Sequence, residues 1–193
     1  DDLDPMDAQA LLTPDAVDAE MGRPLAHVPD QAGDCPVSYA RHHAQTFIDT
    51  FAGLGINPDR YYWMSDIYPT GEMDPFIRTA LDRAALVRDI YRRVANVQHP
   101  DTWHPISVIC PNCGRVGTTI VTQWDGERVF YECRASLVAW ARGCGQSGWI
   151  SPFGANRSGW LNLARSRGIA EKDPATAAFA QRRLVAARLG MRS

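Results

Sequence analysis

A chain of 193 residues, 45% apolar and 22% charged, has the composition of a globular protein with room for one ordinary domain or two small ones. It contains no run of about 20 apolar residues of the kind that crosses a bilayer, and its acidic start (Asp1, Asp2, Asp4) is the opposite of a basic signal segment, so a cytoplasmic protein without membrane contact is expected. The net charge of −2 gives no global attraction to nucleic acid. Lys172 is the sole lysine, which excludes chemistry needing two. The chain opens on Asp1 without a methionine and reads as a processed product or a fragment.

Taken in order, Thr13-Pro14-Asp15 starts a short helix that Gly22 should stop, with Thr13 as cap and Pro14 in the first turn. Arg23 to Gly33 is loop, punctuated by Pro24, Pro29 and Gly33. From Ser38 to about Gly53, Ala40, Ala44, Phe47, Ile48, Phe51 and Leu54 recur at helical spacing. Tyr61-Tyr62-Trp63-Met64, after the Asn57-Pro58 break, predicts a buried strand. Asp74-Pro75 opens what should be the longest helix, with Phe76, Ile77, Ala80, Leu81, Ala84, Val87, Ile90, Tyr91 and Val94 in one stripe. Its arginines Arg78, Arg83, Arg88 and Arg92 form either a solvated face or an RNA-binding one.

Past Pro100 the period changes to two. Residues 106–109, 118–122 and 128–131 read as strands, and Asp125-Gly126 between the last two predicts a tight hairpin with positive φ at both central residues. The tail from Ser158 reads as helix, with Phe179, Leu184, Val185 and Leu189 on an apolar face.

The chemistry gathers in the β stretch. Cys110-Pro111-Asn112-Cys113-Gly114 is worded as a zinc knuckle: two thiolates three residues apart share an ion, and a glycine frees the backbone beyond. The hairpin returns Cys133, and Gly143-Cys144-Gly145 offers a fourth sulfur, although residues 134–143 separate it from Cys133 where a second knuckle would have two. Four sulfurs fill a tetrahedral zinc and leave no open position, so the role would be structural. The other reading is four buried or disulfide-bonded cysteines, against which the composition argues. A second cluster, Asp30, Cys35, His42 and His43, is either a metal site or a buried cysteine beside solvated histidines, and on a helix only one of the two histidines can face it. His104 and Lys172 read as ordinary packed and surface residues.

The wording Gly22-Arg-Pro-Leu-Ala-His-Val-Pro-Asp30, Ser38-Tyr39-Ala40 with His42, Tyr62-Trp-Met-Ser-Asp-Ile-Tyr68 with Gly71-Glu72, Ile109-Cys-Pro-Asn-Cys-Gly-Arg-Val-Gly-Thr-Thr119, Trp124-Asp125-Gly126 and Trp149-Ile-Ser-Pro-Phe-Gly154 resembles class I lysyl-tRNA synthetase over residues 1–156. The resemblance implies an α/β fold: part of a Rossmann-type catalytic domain with an α-helical connective insertion and a zinc-ribbon β module. Residues 1–103 would be partial Rossmann domain and helical insertion, 104–152 the zinc ribbon, and 153–193 a divergent helical tail. Asp1-Asp2 would lie at the end of a Rossmann strand. The family's zinc sites map onto Cys110, Cys113, Cys133 and Cys144, and onto Asp30, Cys35 and His42, with Pro36 in place of a family histidine and His43 or a water left to complete the second set. The parent activity implied is ATP-dependent activation of lysine and its transfer to tRNA(Lys), by a monomer.

Two further features bear on activity. No His-x-Gly-His occurs among His27, His42, His43, His99 and His104, and one lysine cannot make a KMSKS loop, so the chain alone should be inactive and no catalytic residue is assigned. After Gly154 only faint echoes remain, in 156–163 and Glu171-Lys172-Asp173, which points to divergence or a frame disruption near Arg157. The alternative reading is a non-catalytic zinc-ribbon paralogue that holds RNA.

Overall fold

A computed structural model describes residues 1–7, 12–30 and 38–153, and the backbone of 159–160. Helix α1 (Pro14–Glu20) has proline in its first turn, and Thr13 takes the extended cap conformation without a side-chain cap bond. Gly22 follows at φ +85°, the left-handed turn expected of it. After a 3-10 turn at Leu25–His27, α2 (Tyr39–Gly53) opens on Ser38, whose hydroxyl accepts from Arg41 N at 3.3 Å. Only its first turn is buried. Phe47 is 64% exposed and Leu54 72%, whereas Ala44, Ile48 and Phe51 are half-buried, so the apolar stripe read from the sequence is only partly covered.

The expected strand at 61–64 does not form. Tyr61 and Tyr62 lie exposed in irregular chain, and Met64 begins α3 (Met64–Thr70). The cause is a long-range cap: the carboxylate of Asp2 accepts from Met64 N at 2.9 Å and from Ser65 N at 3.3 Å. Trp63, the local cap residue, supplies no such acceptor, so the signal sits 62 residues upstream and outside any local window.

The single long helix expected from Asp74 is two: α4 (Asp74–Asp82) and α5 (Ala84–Ala95), broken at Arg83 (φ −110°, ψ 28°). Neither glycine nor proline marks the break. The stripe survives it, because Ile77, Ala80, Leu81, Ala84, Val87, Ile90 and Tyr91 are all buried, whereas Val94 is 43% exposed. Asn96 ends α5 in the left-handed region.

The strands are β1 (Ser107–Val108), β2 (Thr119–Trp124), β3 (Val129–Cys133), β4 (Ser147–Ile150) and β5 (Gly159–Trp160). β2-β3-β4 make an antiparallel sheet, and β1 pairs with β5, Ser107 opposite Trp160. β4 alternates only between exposed and half-buried positions, with no fully buried residue, and was not legible as a strand. β5 corrects the reading of helix from Ser158. The helical segment expected at 175–189 lies outside the described residues. Among the described residues every strand pairing is antiparallel, and Asp1–Asp4 is a turn closed by Asp4 N to Asp1 O at 3.1 Å.

The Asp125-Gly126 hairpin forms, but with a wider loop than expected. Only Gly126 has positive φ (+100°), while the Asp125 carboxylate accepts from Glu127 N at 2.9 Å and Arg128 N at 2.6 Å. The Arg128 N–H, then that of Glu127, hold this carboxyl below the usual carboxylate range. A depressed folded-state value stabilises above the unfolded value of about 3.9 and is lost as pH falls through the folded one. Asp125→Ala should therefore melt earlier than the parent at pH 7, with the difference closing at low pH in paired thermal scans.

One apolar cluster joins α3, α4 and α5 to the sheet through Tyr68, Ile77, Leu81, Val87, Tyr91, Val121, Val129 and Tyr131. A second holds Met6, Leu12, Met21, Val28, Tyr39 and Ala141. Burial of each such side chain contributes about 1.5–3 kcal/mol.

Candidate metal centre

Cys110 follows β1, Cys113 lies in the turn after it, Cys133 ends β3, and Cys144 precedes β4. Their sulfurs all lie within 4.8 Å of one another, with Cys110–Cys144 at 3.6 Å and Cys113–Cys133 at 3.7 Å. Sulfurs arranged tetrahedrally about 2.3 Å from an ion are about 3.8 Å apart. All four are free thiols, which removes the disulfide reading. The donor set fits zinc in number, softness and spacing.

The separation of Cys133 from Cys144 resolves into a second knuckle with a loop inserted. In the first knuckle Gly114 N donates to Cys110 O at 2.8 Å and Cys110 N to Arg115 O at 2.9 Å. In the second, Gly145 N donates to Cys133 O at 2.9 Å and Cys133 N to Gln146 O at 2.8 Å. Gly114 and Gly145 share positive φ, 70° and 83°. Arg134 and Gly143 stand where Pro111 and Asn112 stand, joined by Gly143 N to Arg134 O at 3.2 Å. Residues 135–142 are thus looped out from the base of an ordinary knuckle. Their tip enters the second apolar cluster, with Ala141 buried and Val138 and Trp140 packed against it.

Hydrogen-bond donors face the sulfurs, while burial opposes charge on them. Cys133 Sγ meets the Thr118 hydroxyl at 3.3 Å and accepts from Cys144 N at 3.4 Å. Burial pushes Cys110 up to about 12, against the N–H groups of Cys113 and Asn112. Burial likewise raises Cys133, opposed by Thr118 and the Cys144 N–H. On Cys144 burial acts in the same direction but is outweighed by the Asn112 side chain, the Gln146 N–H and the neighbouring thiols, bringing it down to about 6. Burial also holds the adjacent Tyr131 at about 12, a neutral phenol. Four thiolates this close are compatible only with a cation among them, and a divalent ion deprotonates coordinating thiols. Metal retention should therefore fall as pH drops from about 7 toward 4, because protons compete for the sulfurs; a chromogenic chelator assay across pH reads this directly. Thr118, Asn112 and Gly143 were not singled out from the sequence for these contacts. Only the glycine after each second cysteine carried a readable sign of the paired knuckles.

Of the second candidate set, Asp30 Oδ2 and His42 Nδ1 stand 3.2 Å apart, with the Asp30 side chain 3% exposed. Cys35 and Pro36 lie outside the described residues. His43 packs at a tilt against Tyr39, with ring centroids 4.2 Å apart, and meets the His42 ring edge-on. His104 is an edge histidine bonded to Thr102 O, with its pKa lowered by burial. Lys172 lies outside the described residues.

The fold and the site together define a paired-knuckle, four-cysteine ribbon built onto a helical domain, in a mixed α/β chain. A sequence model of the tRNA synthetases class I (K) matches residues 1–161, and so extends past residue 156 into the stretch that carries only faint echoes. The lysine–tRNA ligase of Archaeoglobus fulgidus is 32% identical over 162 residues, covering 83% of this chain and 30% of the relative. Those of Methanosarcina barkeri (29% over 160 residues; 83% and 28%) and Methanocaldococcus jannaschii (27% over 155; 79% and 27%) are similar. The chain belongs to the class I lysyl-tRNA synthetase family. It spans under a third of the length of these relatives. No described helix is long and apolar enough to cross a membrane.

Proposed function

We propose that this chain is the zinc-bearing connective insertion of a lysine–tRNA ligase, with the adjoining edge of its Rossmann-type domain. The observation that carries the reading is the family match over residues 1–161, inside which the four sulfurs converge. Cys110, Cys113, Cys133 and Cys144 hold a structural zinc; the ion supplies a closed tetrahedral crosslink and no open coordination position. Asp30, Cys35 and His42 form a second zinc site. ATP, lysine and tRNA(Lys) are the partners of the whole ligase, a cytoplasmic monomer. The ribbon at 104–152 is the metal module, 1–103 the helical and Rossmann part, and 153–193 the tail.

The isolated chain should show no lysine-dependent ATP–pyrophosphate exchange above a buffer blank. Residues 1–161 grafted in place of the matching segment of the Archaeoglobus fulgidus ligase should retain that exchange within about tenfold. A graft that folds and holds zinc yet shows no exchange contradicts the reading. The RNA-holding paralogue is disfavoured by charge pairing: Arg41 meets Asp66, Arg92 and Arg93 meet Asp89, Arg128 meets Asp125, and Arg134 meets Glu132. Such pairs weaken attraction to phosphate.

A further inference from the structure

The two knuckles grip more than an ion. Arg115, directly after the first, donates through Nε to Met21 O at 2.9 Å and through its guanidinium to Asp18 O, closing the carboxyl end of α1. Val116 N and Gly117 N both donate to Gly22 O, at 2.7 and 3.0 Å. From the other side comes the loop of the second knuckle: a Cβ added to Gly22 would stand 3.0 Å from Ala141 Cβ and 3.4 Å from Arg115 Cδ. Trp140 closes over Gly117 so tightly that a Cβ there would lie 2.6 Å from its ring. The turn at Gly22 is therefore held between residues carried by both halves of the metal site.

That turn is one end of a backbone ladder. Gly22 N donates to Met6 O, Met6 N to Arg23 O, Leu25 N to Asp4 O and Ala26 N to Asp2 O, all at 2.7–2.9 Å. At the far end the Asp2 carboxylate caps α3 through Met64 and Ser65. Asp2 and Leu25 also line a cleft of about 560 Å³ with Tyr39, Tyr61, Tyr62 and Trp63. These contacts are contiguous from the sulfurs to the cleft wall.

We infer that Arg115 is a positioning residue, through which the metal-bound knuckles fix the Gly22 turn, the ladder beyond it and the Asp2 cap at the cleft. The inference uses the four-sulfur site alone and not the ligase reading. The ion acts here as a clamp on the helical half as well as a staple for the ribbon. Metal loss should accordingly loosen Asp2–Met6, Gly22–Ala26 and the start of α3, ahead of α4 and α5, whose backbone hydrogen bonds are internal to each helix and do not pass through Arg115.

Amide hydrogen exchange on the zinc-loaded chain and on the same chain after chelation tests this. Protection at Met6, Gly22, Ala26, Met64 and Ser65 should fall at least about tenfold while that at Ile77–Ala95 changes less. If the chelated chain unfolds throughout, Arg115→Ala decides. It leaves every sulfur in place, so it should retain zinc and yet lose about tenfold protection at the same five amides. Unchanged protection there in zinc-loaded Arg115→Ala, or equal loosening of α4 and α5, overturns the inference. Both outcomes are independent of aminoacylation and leave the family assignment untouched.

Discussion

Cys133→Ser should lose tight zinc binding and, with it, the folded ribbon. Structural zinc contributes about 10–16 kcal/mol in comparable peptides, so an even share is about 2.5–4 kcal/mol per thiolate, or roughly two to three powers of ten in affinity. Cys133 is a demanding position. It is 1% exposed, its sulfur meets Thr118 and Cys144 N, and its own N–H and C=O tie the second knuckle together. A hydroxyl in that place is a harder and poorer ligand. Competition against a chelator of known affinity measures the loss, and far-ultraviolet circular dichroism should show β2–β3–β4 melting once the ion is gone. A Cys133→Ser protein that binds zinc as tightly as the parent would contradict the four-sulfur assignment.

Gly143→Ala should be nearly as damaging without touching a ligand. An added Cβ would stand 2.9 Å from Cys133 Sγ and 2.7 Å from Arg134 C, with the Arg134 carbonyl oxygen closer still. Two of these three neighbours are backbone, so relief requires the base of the inserted loop to open. That displaces Cys144 from the other three sulfurs. The expected cost is about 3 kcal/mol in denaturant unfolding, with weaker zinc retention. Gly148→Ala is the control: its Cβ would meet only Tyr131, at an ordinary 4.0 Å, and the change should stay within about 0.5 kcal/mol. Equal effects from both substitutions would mean that the close approach at Gly143 has no bearing on the site.

The legible parts of this chain are those whose signal is local. The spacing of Cys110 and Cys113, the helix start at Ser38, the Gly22 stop and the apolar stripe of Ile77 to Tyr91 can each be read within a few residues, and each is present. Most of what failed depends on distant partners. Tyr61 to Met64 looks like a strand until Asp2 arrives to cap Met64 and Ser65. β4 and β5 exist because β3 and β1 offer them edges, and the two-residue Ser147-Gly148 and Gly159-Trp160 steps carry no apolar alternation strong enough to read locally. The Asp125 turn was found but its geometry was not, because the carboxylate rather than a second positive φ satisfies the loop. Cys144 is the instructive case. Its sequence distance from Cys133 looked like a weakness, whereas the hydrogen bonds show a regular knuckle with residues 135–142 looped out toward a second cluster.

Zinc K-edge X-ray absorption on the chain purified without chelator, together with its metal content, addresses the central claim directly. The account predicts tightly held zinc with a sulfur shell at about 2.3 Å that is lost in Cys110→Ser and Cys133→Ser alike. Metal-free protein that is fully folded, or a zinc shell unaffected by either substitution, would contradict it.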